Sequence, residues 1–159
     1  CISSAASDVY KRQANDEVFN EIMEKSTIKP AVLQIECHPY AQRTEMRKKA
    51  AKYGIQVECW YPLGGAQSQG LLLRDSVITK IADNHGKSPA QIILRWHIQE
   101  GFSVIPGATK PDYIKENIQI FDFALSNDEM QQIRSLNKEQ RIFNATLDDV
   151  KRMVWGTKL

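Results

Sequence analysis

The chain has 159 residues, 42% of them hydrophobic and 25% charged, the balance of a globular protein large enough for one sizeable core. Its 21 basic and 19 acidic residues leave a net charge of +2. The densest basic run, Arg47-Lys48-Lys49, shares its helix with Glu45 and reads as a solvated face, so no nucleic acid is expected as a partner.

No apolar run approaches the ~20 residues that span a bilayer, so no membrane partner is expected either. The three cysteines, Cys1, Cys37 and Cys59, show no metal-ligand spacing and no even-numbered framework, which suits a reducing cytoplasm. The opening CISSAASDVYKRQ lacks the apolar centre of a signal peptide, and SAASDVYKRQ is similar to the translated adapter sequence found at the ends of fragments assembled from environmental DNA. Residues 1–13 are therefore expected to be a non-native leader, set aside for fold reasoning, with the gene beginning upstream. Residues 14–159 are expected to form one unit with a C-terminal tail.

Asn15 suits the N-cap of a helix whose apolar stripe is Val18, Phe19, Ile22 and Met23. AVLQIECHP, ending at Pro39, reads as a strand, and a helix rich in Lys, Arg and Ala follows from about Arg43 to Gly54. IQVECWYPLG alternates as a second strand and ends in Pro-Leu-Gly-Gly. Asp75 opens a helix with Val77, Ile78 and Ile81 on one face. Ser88-Pro89-Ala90-Gln91 is a capping box with proline at the first helical position, starting a helix through Leu94 and Ile98 to Gly101. FSVIP is the third strand. The stretch VIPGATKPDYIKEN, Val104 to Asn117, then passes through a Pro-Gly turn into a helix beginning near Pro111. Such a junction offers unpaired N–H groups and the positive end of a dipole to an anion such as a phosphate; taken alone, the stretch reads first as an ordinary strand-to-helix corner. Ser126-Asn127-Asp128-Glu129 is a second capping box, ahead of Met130, Ile133 and Leu136.

Strands separated by helices of this length imply the α/β class, with a parallel sheet and right-handed crossovers. A doubly wound sheet and a barrel both fit. Three strands cannot close a (β/α)8 TIM barrel, which takes ~250 residues, so a barrel would be incomplete here and this chain its C-terminal part. Side-chain parity separates two faces: Ala31, Leu33, Ile35 and Cys37 against Gln34, Glu36 and His38 in the first strand, and Ile55, Val57 and Cys59 against Gln56, Glu58 and Trp60 in the second. In a barrel the polar face is the interior, and His38 and Trp60 approach the mouth.

The strings QIECHPY, YPLG, KSPAQIILRWHIQEG, SVIP and ENIQIFDFALSNDEM, in this order and spacing, resemble the aldo-keto reductases, NAD(P)H-dependent (β/α)8 barrels. The resemblance covers about residues 14 to 145, the segment from the helix after the fifth strand onward. It implies that Gln34 hydrogen-bonds the nicotinamide carboxamide and that Trp60 stacks on the nicotinamide ring. Leu63 and Gly64 would begin the loop over the pyrophosphate. Pro106, Gly107, Ala108, Thr109, Lys110 and Tyr113 would form the adenosine-phosphate site, with Glu116 and Asn117 at the adenine edge.

The family's NADPH binders carry Lys-Ser after the strand's Ile-Pro, and an Arg beyond. Here Gly107, Ala108 and Tyr113 stand at those positions, and Lys110 is the nearby cation that remains. The catalytic Asp, Tyr, Lys and His of the family belong upstream, so no residue of this chain is assigned a catalytic role. His38 reads as a buried, hydrogen-bonded structural group, His85 as a helix C-terminal charge, and His97 and Trp96 as packing residues; Glu36 is an interior carboxylate whose partner the sequence does not name.

The implied function is reduction of small-molecule aldehydes or ketones with NADPH or NADH by a cytoplasmic protein that is a monomer when full-length. A non-catalytic, cofactor-sensing binding subunit on the same barrel is the alternative. No metal is implied.

Overall fold

Three short runs lie side by side as β1 (Val32–Glu36), β2 (Gln56–Trp60) and β3 (Ser103–Ile105), all parallel and in that spatial order. The register sets Gln34 beside Glu58, Ile35 beside Cys59, Glu36 beside Trp60, and Trp60 beside Ile105. The computed structural model describes residues 16–65 and 68–143, without the side chains of Glu17 and Val18. The expected leader, the Asn15 cap, the place of Val18 in its stripe and the chain beyond Phe143 lie outside the described residues.

Among the described residues six helices accompany the strands: α1 (Asp16–Lys25), α2 (Thr44–Lys52), α3 (Ser76–His85), α4 (Pro89–Gln99), α5 (Pro111–Ile118) and α6 (Asn127–Ser135). A 3₁₀ turn, Leu72–Arg74, which the periodicity does not show, leads into α3. Local chemistry sets several of their ends. Asp75 Oδ1 accepts from the Val77 N–H at 2.9 Å and caps α3, which stops at Gly86 because the chain there takes φ 61. Both expected capping boxes form: Ser88 N–H donates to Gln91 Oε1 at 3.0 Å, and Ser126 N–H to Glu129 Oε2 at 2.8 Å.

The apolar face of the sheet closes against α1 and α2. Leu33, Ile35, Val57 and Cys59 pack there with Phe19, Met23, Met46 and Ala50. A second core joins α3, α4 and α6 through Ile78, Ile81, Ile92, Trp96, Met130 and Ile133. By contrast α5 buries no residue, and Tyr113, Ile114 and Ile118 are exposed on it. Within the described sheet β1 and β3 each have one neighbour, which leaves two open edges. No described helix is long and apolar enough to cross a membrane.

One expectation is corrected. The basic run on α2 is not uniformly solvated: Arg47 lies over the Phe102 ring, 4.4 Å from its centroid, and pairs with the largely buried Glu100, which Arg134 also meets at 2.6 Å. Glu100 is 53 residues from Arg47 in sequence, so local charge patterning could not reveal that pair.

Candidate functional site

The polar face of the sheet is organised by one carboxylate. Glu58, central on β2, accepts from Gln34 Nε2 at 2.7 Å through one oxygen and from Ser103 Oγ at 3.3 Å through the other. It therefore ties all three strands together and sets the orientation of the Gln34 amide. Glu58 shares a face with Gln34 by parity, which is the signal the sequence offers; its bridging role depends on the register.

Beyond the strand ends a groove of about 420 Å³ opens, lined by Gln34, Trp60, Tyr61, Leu63, Pro106 and Gly107. Gly65 lines it and Gly64 precedes it in the turn, both at positive φ (59 and 80). A Cβ on Gly64 would fall 2.8 Å from Ser68 Oγ and 3.0 Å from Leu72 Cδ1, and one on Gly65 would run into the Tyr61 ring. Both positions thus need glycine for conformation and for room. Trp60 is half-buried, edge-on to Tyr61 at 4.7 Å and to Phe143 at 5.5 Å between ring centroids. Its indole Nε1 is buried with no hydrogen-bond partner among the described residues.

Five of the expected residues therefore meet in one groove. Ala108, Thr109, Lys110, Tyr113, Glu116 and Asn117 instead follow along the loop and α5, outside its lining. Thr109, Lys110 and Tyr113 are exposed, while Ala108, Glu116 and Asn117 are half-buried. Lys110 occupies the N-cap position of α5 without a side-chain cap, and its Nζ lies 5.3 Å from the centroid of the Tyr113 ring. Asp112, in the first turn, opposes any anion placed there.

Deeper on the same face, the partners of Glu36 come from the far end of the chain. Its carboxylate accepts from the Ile142 N–H at 2.6 Å, the Phe143 N–H at 3.2 Å and Arg141 Nε at 3.4 Å, and His38 Nε2 lies 3.3 Å away. Burial pushes the Glu36 carboxyl up, but the His38, Ile142 and Phe143 hydrogen bonds outweigh it and the net shift is downward. His38 is fully buried, and its Nδ1 has no hydrogen-bond partner among the described residues. Arg141 and Phe143 carry no sequence signal for this contact, being more than 100 residues from Glu36.

A parallel sheet with polar groups on one face thus opens, beyond its strand ends and beside a glycine turn, on a groove. Residues 12–138 match the aldo/keto reductase family, and the chain belongs to that family. It is 47% identical over 126 residues to an aldo-keto reductase of Mycolicibacterium smegmatis, covering 79% of this chain and 44% of the relative. The glyoxal reductase of Bacillus subtilis is 45% identical over 124 residues, covering 78% and 44%.

Among solved structures, the aldo-keto reductase MGS-M4 from a Medee basin deep-sea metagenome library matches with TM-score 0.79 at 35% identity, covering 82% of this chain and 48% of that one. A variant of Gox0644 in complex with NADPH matches with TM-score 0.76 at 33% identity, covering 91% and 55%. The chain thus spans less than half the length of the curated relatives it matches.

Proposed function

We propose that this chain supplies the nicotinamide-dinucleotide-binding part of an NAD(P)H-dependent reductase of aldehydes and ketones, as the C-terminal part of a (β/α)8 barrel. The observation that carries the reading is the groove at the strand ends, where Gln34, Trp60, Leu63, Pro106 and Gly107 converge. A flat heteroaromatic carboxamide fits that chemistry. The groove offers an indole surface, an amide held in place by Glu58, and a buried indole N–H with no described partner. The dinucleotide, when bound, supplies a hydride to the substrate carbonyl carbon.

The chain's own residues position and enclose. Gln34 presents its amide in one orientation because Glu58 holds Nε2. Trp60 is propped edge-on by Tyr61 and Phe143, which limits its rotation. Gly64 and Gly65 keep the turn close to the groove, where a side chain would crowd its own supports. Thr109 and Lys110, exposed ahead of α5, are the groups available to a more distant phosphate. Tyr61 is the one ionisable side chain that lines the groove among the described residues, and it is engaged as a prop. The proton donor for the carbonyl oxygen is accordingly assigned to elements outside this chain, with no catalytic residue here.

The test is titration of the purified chain with NADPH, read by indole fluorescence. Saturable quenching is expected, most of it lost in Trp60→Ala, with binding weaker by about 1 kcal/mol. An identical titration in Trp60→Ala would remove Trp60 from the site. NADPH-dependent carbonyl reduction by the chain alone would refute the placement of the proton donor elsewhere.

A further inference from the structure

The apolar side of the sheet holds a cluster that the groove does not use. Cys37 follows β1, Cys59 lies in β2 and His97 in α4; all three are fully buried, and one potential ligand atom from each lies within 4.8 Å of the other two. His97 Nδ1 is 2.8 Å from the carbonyl oxygen of Ile93, one turn back in α4, and its Nε2 is 3.0 Å from the carbonyl oxygen of Cys37. Carbonyl oxygens only accept, and a neutral imidazole has one N–H to give. With Nδ1–H donated to Ile93, the Nε2 lone pair would face an oxygen unless a cation stood between them. A proton would meet that need by making an imidazolium; a metal ion would meet it and also engage the two thiols.

We propose that Cys37, Cys59 and His97 form a buried binding site for one zinc-class (d¹⁰) cation, which staples β1 and β2 to α4. The donor set is two sulfurs and an imidazole nitrogen, with the Cys37 carbonyl oxygen beside them as a fourth. Zinc is held tetrahedrally by thiolates at ~2.3 Å and imidazole at ~2.0 Å, distances that a small inward movement of the three side chains satisfies. The Nδ1–H bond to Ile93 is the outer contact that fixes the tautomer and aims Nε2, as in other histidine metal ligands. Two thiolates, a neutral imidazole and a divalent ion sum to zero charge, which a fully buried site requires. No spacing motif announces the site, because the three residues come from three elements and meet only through register and helix packing.

The experiment titrates Zn²⁺ and Cd²⁺ into the reduced chain carrying Cys1→Ser, so that two thiols remain. One Cd²⁺ should bind per chain, with an ultraviolet charge-transfer band of two thiolates, and Zn²⁺ should raise the melting temperature by several degrees at large excess over its Kd. Cys59→Ala should halve the band and abolish the rise, and His97→Gln should weaken Cd²⁺ binding roughly tenfold or more. Should either variant fail to fold, the Cys1→Ser chain decides by itself: Zn²⁺ must protect both thiols from a thiol reagent, reversibly on chelation. A folded chain that gives no band and no rise in melting temperature, or a Cys59→Ala chain that responds equally, overturns the proposal and leaves an imidazolium–thiolate pair only.

Discussion

On one face of the sheet Leu33, Ile35, Val57 and Cys59 are sealed against α1 and α2; on the other Gln34 and Trp60 line a groove and Glu58 beside them is half-buried. Successive residues of the same two strands serve both faces, so the difference is one of partner and not of backbone. The sealed face gains from packing, in which each buried methylene matters. The open face uses hydrogen bonds, whose net contribution to stability is small but whose geometry is strict. Stability and binding should therefore be separable by substitutions one residue apart.

The largest effect expected from that comparison is on the sealed face. Ile35 is 2% exposed, and Ile35→Ala should lower unfolding free energy by about 2–5 kcal/mol. Its neighbour Gln34→Ala should cost about 1 kcal/mol or less while weakening NADPH binding. Urea denaturation of both variants measures the first quantity and cofactor titration the second. Equal destabilisation by the two would erase the distinction between the faces.

Glu36 tests the boundary between them, being on the polar face yet 2% exposed. Glu36→Gln puts an amide where the Ile142 and Phe143 N–H groups and Arg141 converge, and should cost about 1–3 kcal/mol. Hydrogen exchange should locate the loss: the Ile142 and Phe143 amides should speed up, while those of β2 change less. Unchanged protection at both amides would mean that other contacts hold the tail.

What could be read in advance follows the range of each interaction. The two capping boxes, the Asp75 cap and the separation of Leu33 and Ile35 from Gln34 and Glu36 depend on residues within a few positions, and local patterning shows them. The groove residues Gln34, Trp60, Leu63, Pro106 and Gly107 were legible through the family resemblance, since they lie on separate segments. Hidden were Arg47 with Glu100, Glu36 with Ile142 and Phe143, and the meeting of Cys37, Cys59 and His97. Each is made by long-range packing, and a solvated basic run or a packing histidine looks the same in sequence.

The helical layer supplies a control carboxylate remote from both faces. Glu129 is mostly buried; burial raises its carboxyl, but the Ser126 N–H and His85, 3.0 Å away, outweigh this and the net shift is below the ordinary value. A carboxyl lowered on folding stabilises above its unfolded pKa, and that stability is lost as pH falls through the folded one. Stability should therefore decline on acidification below about pH 5, around and below the ordinary glutamate pKa. Glu129→Gln should flatten part of that decline and cost about 1 kcal/mol at neutral pH through the carboxylate charge lost beside His85 and the N-terminus of α6. An unaltered pH profile in Glu129→Gln would assign the acid sensitivity to other carboxylates.

The smallest effect is expected where the site is most exposed, at the start of α5. A ribose 2′-phosphate carries close to two negative charges, and a bidentate Arg together with a Lys is the usual way to hold it. Gly107 and Tyr113 offer neither cation, and Asp112 adds an unfavourable charge in the first helical turn. What remains is exposed Lys110, the Thr109 hydroxyl and the N–H groups ahead of Pro111. A screened lysine–phosphate contact of this kind contributes about 1 kcal/mol, roughly a fivefold preference. NADH should accordingly bind nearly as well as NADPH, with any NADPH advantage fading as salt rises. Lys110→Ala should remove most of the advantage and leave NADH affinity almost unchanged, since the two ligands differ at the phosphate that Lys110 would meet. Binding titrations with both nucleotides at low and physiological salt decide it: an NADPH preference of several hundredfold at physiological salt would demand a second cation at the phosphate, and Lys110 could not then be its principal partner.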